Sequence, residues 1–380
     1  MSSPASSVQL LRELIAIPSV NPAFLPEHDP RTGEARMAEK VMEVARQAGL
    51  EVEQQTVVPG RANVVARLIP RGSPKHRLVL GPHLDTVGLP ALDELLQPRL
   101  SRGRVIGRGA CDTKGCVATM LTAIVTVARN GKRPTETEIV FAGFVDEENG
   151  QLGSRHFAQH HPPATLAIVG EPTRLEVVTA HKGDVWLQLT TQGRSAHGAS
   201  PQLGRNAVHS MSRVVNLLET TYRAHLRRRS HPLLGFPTIN VGSIRGGTQP
   251  NIVPDTCTIS LDRRTLPGET EAQVRREISA LLRKHRLKAT FDNLRLAPCH
   301  PLETSPQHAW VRLLCGIAGR RKTVGVHYFC DAAPLAEAGT PAVVFGPGDI
   351  AQAHTRDEWI SVAQLERGTR IFEKFLRSLP

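Results

Sequence analysis

Five short runs of the chain carry imidazoles or carboxylates beside apolar, strand-like stretches. They are Pro82-His83-Leu84-Asp85-Thr86, Gly107-Arg108-Gly109-Ala110-Cys111-Asp112-Thr113-Lys114-Gly115, Val145-Asp146-Glu147-Glu148-Asn149, Gly170-Glu171-Pro172-Thr173 and Gln352-Ala353-His354. Neutral imidazole and carboxylate are ligands for Zn²⁺, and also for Mn²⁺ or Co²⁺, and the lack of thiolate ligands argues against a purely structural zinc site. His83, Asp112, Glu148, Glu171 and His354 exceed what one tetrahedral ion needs once a water position is left open. Such a set suits two ions about 3.5–4 Å apart, bridged by one carboxylate and one water or hydroxide. Asp112, placed among glycines that let the backbone pass close to a ligand, is the candidate bridge. Asp85 lies two residues from His83 on the same side of an extended segment, so it can accept the second imidazole N–H. Glu147 adjoins a candidate ligand without having to bind metal, which makes it the natural general base. Each run alone is weak and is more often a surface acid cluster or a turn; their joint occurrence after strands points to a metal site.

The elements that must position these residues follow from hydrophobic periodicity. Helical spacing marks Ser7 to Ile15, Arg36 to Ala48 and the apolar run after Asp112. Ala62 to Ile69 and Arg77 to Leu80 are β-rich. Glu138 to Val145 and Leu166 to Val169 are continuous apolar runs, expected of a sheet buried on both faces. The predicted fold is α/β, with a mostly parallel twisted sheet and helices on both faces. Active sites of such sheets lie beyond the strands' C-terminal ends. From about Val177 the pattern becomes β-α-β-β-α-β, the signature of a smaller α+β split-βαβ module. The expected division is 1–178 for the first part of the catalytic domain, 179–292 for the inserted domain and 293–380 for the second catalytic part.

Composition narrows the partners. With 380 residues, two domains are a better prior than one. The formal charge is +12, yet only 4% of residues are aromatic and the basic residues have no stacking platform among them. Nucleic acid is therefore not an expected partner, and attraction of anionic small molecules is a better use of the charge. No apolar run reaches the ~20 residues needed to cross a bilayer, so no membrane is expected. The start lacks a signal-peptide pattern, and the six cysteines show no CxxC pairing. A reducing cytoplasm is the simplest compartment.

Taken together, His83-Leu-Asp85-Thr, Gly107 to Gly115 around Asp112, Glu147-Glu148, Gly170-Glu171-Pro-Thr and His354 resemble the family of di-zinc aminoacylases, acetylornithine deacetylases and succinyl-diaminopimelate desuccinylases. That family also holds carboxypeptidase and dipeptidase members. The resemblance covers essentially the whole chain. It implies that His83 and Glu171 hold one zinc, that Glu148 and His354 hold the other, and that Asp112 bridges them. It further implies Glu147 as base, Asp85 as an acid behind the metal ligands, and the inserted module as a lid and dimerisation domain. Gly193 to Asn206 is similar to the family segment whose histidine, here His197, reaches the partner subunit's site and stabilises an oxyanion. Read without the resemblance, His197 is a surface imidazole before a helix. Thr248-Gln-Pro-Asn251 and Leu261-Asp262-Arg263-Arg264 look like the family's contacts to the substrate carboxylate. Arg263 is the alternative to Arg264, and Asn251 is equally a turn residue between prolines.

Ala180-His-Lys-Gly183 and Phe345 to His354 look most like acetylornithine deacetylases. Thr113 and Phe329-Cys330-Asp331-Ala332 depart from the family pattern. The implied function is a metal-dependent amidohydrolase that removes an N-acyl group from an N-acyl-L-amino acid, through a metal-bridging hydroxide and Glu147. The alternative is a metallo-dipeptidase or carboxypeptidase using the same ions.

Overall fold

The computed structural model describes residues 6–88, 92–295 and 297–380. Two compact units emerge: Met1–Thr179 with Thr304–Val324 and Cys330–Pro380, and Ala180–Glu303 with Gly325–Phe329.

The first unit opens with α1 (Ser7–Ile15), whose first turn is capped by Ser6 Oγ accepting the Gln9 N–H at 3.2 Å. Leu10, Leu11, Leu14 and Ile15 bury its apolar stripe. Then follow α2 (Ala35–Gln47), β1 (Glu51–Val58), β2 (Arg61–Leu68), β3 (His76–Pro82), α3 (Lys114–Arg129), β4 (Thr137–Gly143), α4 (Leu152–His160) and β5 (Leu166–Gly170). Helix α3 is apolar almost all round and is buried for nearly its whole length, as a core helix must be.

The second unit contributes β6 (Gly183–Gln192), α5 (Ala207–Leu217), β7 (Thr238–Gly246), β8 (Thr256–Thr265), α6 (Glu271–Lys284) and β9 (Thr290–Asn293). Its four strands form one antiparallel sheet in the order β7-β8-β6-β9. Side chains on β8 alternate between buried and half-buried, and Leu187, Leu189, Met211, Val214, Ile259 and Ile278 fill the core beneath the two helices. A capping box between Thr270 and Gln273 starts α6.

The chain returns to the first unit through α7 (Ala309–Ala318), α8 (Ala332–Glu337), β10 (Ala342–Val344) and α9 (Val362–Arg377). The main sheet runs β1-β2-β4-β3-β5-β10 and continues beyond β10. Its centre is parallel: β4 with β3, β3 with β5, and β5 with β10. Every residue of β4 and β5 is buried, which explains their unbroken apolar runs.

Two features depart from the periodicity reading. Strand β1 pairs antiparallel with β2 at the sheet edge; it is largely exposed and polar, so no apolar run announces it. The inserted unit also extends beyond the expected end at 292, to Glu303. The cause is pairing with the unit's own first residues: Cys299 bridges to Asp184, Leu302 to His181 and Glu303 to Ala180. No helix among the described residues is long and apolar enough to cross a membrane.

Candidate metal centre

Parallel pairing of β3, β4 and β5 brings their C-terminal ends to one edge of the sheet. His83 follows β3, Glu147 and Glu148 follow β4, and Glu171 follows β5. Asp112 arrives from the loop before α3, and His354 from the loop after β10. All six side chains belong to the first unit. Ligand atoms of His83, Glu147 and Glu171 lie within 4.8 Å of one another, as do those of His83, Asp112 and Glu148.

Asp112 stands between the two imidazoles. Its Oδ1 is 3.1 Å from His83 Nε2, and its Oδ2 is 3.2 Å from His354 Nε2. His83 Nε2 also lies 3.9 Å from Glu171 Oε1, and His354 Nε2 lies 3.1 Å from Glu148 Oε2.

The electrostatics describe a cluster short of positive charge. Burial, then the neighbouring acids, push Glu147 and Glu171 well above the usual carboxylate range. Burial works to lower the pKa of His83, but hydrogen bonds to Asp112 and Asp85 hold it well above the ordinary imidazole value. Hydrogen bonds to Asp112 and Glu148 raise His354 to about 10. Glu171 Oε1 is buried with no hydrogen-bond partner, a costly arrangement for an acceptor. Carboxylates and imidazoles around an orphaned buried oxygen fit divalent cations, whose charge relieves the repulsion.

The supports are mostly distant in sequence. His83 Nδ1 faces the Asp85 carbonyl oxygen at 3.0 Å and the Asp85 carboxylate at 3.4 Å. The Asp85 carboxylate also accepts the backbone N–H groups of Glu147 and Glu148 at 3.1 and 3.2 Å, so it holds both sides of the centre. Buried Asn21 donates to Asp85 Oδ2 at 2.7 Å and to Asp146 Oδ1 at 3.0 Å. Arg61 joins Asp146 to buried Glu34. Asp331, also buried, accepts from Ser154 Oγ at 2.5 Å. Lys114 Nζ caps the end of α1 through the carbonyls of Leu14 and Ile17. Sequence reasoning missed Asn21, and it named Asp331 only as part of the departing segment Phe329-Cys330-Asp331-Ala332. The only local hint for Asn21 was a polar residue set between two prolines, and it reads as a helix stop.

The second unit carries His197, Asn251 and Arg264. His197 is exposed, and its Nδ1 accepts the Ala199 N–H at 3.1 Å. Its backbone bridges to Ile252, and the Gly198 N–H donates to the Asn251 carbonyl at 2.7 Å. Two separate motifs thus meet at one place. Gly198 is required there, because an added Cβ would stand 2.9 Å from the Asn251 backbone. A groove of about 500 Å³ lined by Gly198, Asn206, Gly247, Thr248, Gln249 and Ile252 lies beside them. Arg264 turns its fork onto Asp262, with Nε and Nη2 at 2.9 and 2.8 Å. Arg263 is fully buried and bound to Glu269 at 2.8 Å, so it is part of the unit's scaffold.

Fold and centre together define a family. Residues 79–378 match the model of peptidase family M20/M25/M40, and the chain belongs to that family of metallohydrolases. Acetylornithine deacetylase from Aliivibrio fischeri is 30% identical over 354 residues, covering 90% of this chain and 91% of its own. The enzyme of that name from Vibrio campbellii is 31% identical, covering 87% of each chain. Among solved structures, a Bacillus cereus aminopeptidase superposes with a TM-score of 0.77 at 21% identity, covering 99% of this chain and 98% of its own. A Sulfolobus solfataricus metallo-carboxypeptidase gives 0.76 at 17%, covering 98% and 99%.

Proposed function

We propose that the protein is a metal-dependent amidohydrolase that removes the N-acyl group of an N-acyl-L-amino acid, with acetylornithine the first substrate to test. The observation that supports this most is Asp112, whose two oxygens face two different imidazoles at 3.1 and 3.2 Å. The share of chain matched to acetylornithine deacetylases supports the choice of acyl-amino acid.

His83 and Glu171 would hold one ion, Glu148 and His354 the other, and Asp112 both. When bound, two divalent ions, zinc first with cobalt or manganese as alternatives, supply Lewis acidity for the amide carbonyl and acidify a water. Glu147 takes a proton from the attacking water and delivers it to the departing nitrogen as the C–N bond breaks. The products are a carboxylate and a free amine. Asp85 keeps Glu147 and Glu148 in place through their backbone N–H groups. His197 would donate to the developing oxyanion across a homodimer formed by the inserted unit. Arg264 and Asn251 would orient the substrate carboxylate, Arg264 by sharing the fork it now places on Asp262. The six cysteines form no disulfide, which suits a cytoplasmic enzyme.

The test is amine release from N-acetyl, N-succinyl and N-formyl amino acids and from dipeptides, with Co²⁺ or Zn²⁺ added and after chelation. Chelator-sensitive cleavage of one acyl class is the expected result. Cleavage confined to dipeptides would replace the reading with a metallo-dipeptidase or carboxypeptidase.

A further inference from the structure

One buried carboxylate beside the centre gathers an unusual number of donors. Glu358 Oε1 accepts the backbone N–H groups of Cys111 at 2.8 Å and Asp112 at 2.9 Å. Its Oε2 accepts the Gly109 N–H at 3.0 Å and the guanidinium of buried Arg108. Its own carbonyl accepts the Gly107 N–H at 3.0 Å. The same arginine reaches the Thr355 carbonyl at 3.1 Å. The glycine-rich loop thus wraps a carboxylate with its backbone donors, as such loops wrap anions. Here the anion is a side chain of the protein.

Glu358 lies four residues after His354. That imidazole is poorly held by packing: its side chain is 54% exposed, against 1% for His83. Its backbone also sits at φ 60°, a left-handed region that side-chain-bearing residues adopt only when surrounding contacts impose it. Among the contacts that hold this segment are those between residues 355–358 and the loop of Asp112.

We propose that Glu358 is a positioning residue that ties Asp112 to His354 and so sets the metal position those two share with Glu148. The inference rests on the two-ion reading above. A carboxylate is acceptor-only, and three backbone N–H groups and a guanidinium use that capacity. An amide at this position presents its own donor to the same N–H groups, so the loop and the His354 segment separate. The position formed by Asp112, Glu148 and His354 weakens. The position formed by His83, Asp112 and Glu171 keeps a buried imidazole and two strand-end anchors, and weakens less.

The experiment titrates Co²⁺ into full-length protein stripped by chelation, for the wild type, Glu358→Gln and Glu358→Asp. Calorimetry gives stoichiometry and affinities, visible absorption reports the geometry at each position, and thermal melts run alongside. The wild type is expected to bind two ions. Glu358→Gln keeps the tighter one and loses roughly 10–100-fold in affinity for the weaker, the range seen when partners of metal ligands are removed. Glu358→Asp, which retains the carboxylate, recovers part of that loss. Two unchanged affinities in Glu358→Gln, an equal loss at both positions, or no recovery in Glu358→Asp overturns the proposal and leaves the two-ion reading standing. A wild type that binds fewer than two ions overturns both. If Glu358→Gln does not fold, Arg108→Lys serves, since it drops the tie to Thr355. A smaller weakening of the second ion is then expected, and unchanged binding overturns the inference.

Discussion

The carboxylate of Asp85 receives the backbone N–H of Glu147 at 3.1 Å, although 62 residues separate the two. The same carboxylate takes the amide of Asn21 at 2.7 Å. An acid next to a candidate metal ligand thus acts on the loop that carries the proposed base, and Asn21 fixes it from behind. Replacing Asn21 with Ala removes one buried donor from each of Asp85 and Asp146, which costs about 1–3 kcal/mol. Urea unfolding should show a lower midpoint with an unchanged slope. Wild-type stability would remove Asn21 from the network.

Glu147 is proposed to move the proton and not to hold metal. Glu147→Ala should therefore lose turnover by at least about 10²-fold, the ordinary contribution of such a group. Metal content by atomic absorption should stay near that of the wild type. Loss of an ion from the variant would instead make Glu147 a ligand, as its closeness to His83 and Glu171 allows.

Removal of the ions with a chelator should abolish hydrolysis and lower the melting temperature. An ion that binds the folded chain stabilises it by mass action, and here it also relieves repulsion among Asp112, Glu147, Glu148 and Glu171. Returning Zn²⁺ or Co²⁺ should restore both. Hydrolysis that survives complete metal removal would sink the metal-dependent reading.

His197 is exposed in its own unit and is proposed to serve a partner subunit. Inactive Glu147→Ala and His197→Ala proteins, mixed under conditions of subunit exchange, should regain part of the wild-type rate. Exchange without recovery, followed with labelled subunits, would place His197 outside the reaction.

Asp184 offers a pH signature in the second unit. Its carboxyl is buried, with Arg264 at 3.7 Å and Arg295 at 4.0 Å. Burial, only partly offset by Arg264, pushes it up to about 7 from 3.8. A raised acid favours folding while it stays protonated, so its contribution is full below the unfolded value and is lost as pH rises through about 7. Between pH 5 and pH 8 the wild type should therefore lose more melting temperature than Asp184→Asn. Equal losses would show that Asp184 ionises normally.

The α/β class and the run of residues behind strand ends were legible because both are local properties. An apolar run of five to seven residues buried on both faces announces a central parallel strand, and the side chain just beyond it has only one edge of the sheet to reach. His83, Glu147, Glu148 and Glu171 could therefore be picked out before any packing was known, and Asp112 and His354 by residue type within their motifs. What the tertiary structure decided is which polar groups end up under other elements. Asn21 meets Asp146 across 125 residues, Ser154 meets Asp331 across 177, and Glu358 meets Asp112 across 246. No periodicity marks these, because a polar side chain's burial depends on what packs over it and its role on which donors that packing leaves unpaired. The same holds for Arg264, whose planar fork suited a carboxylate on chemical grounds and which the fold has already placed on Asp262.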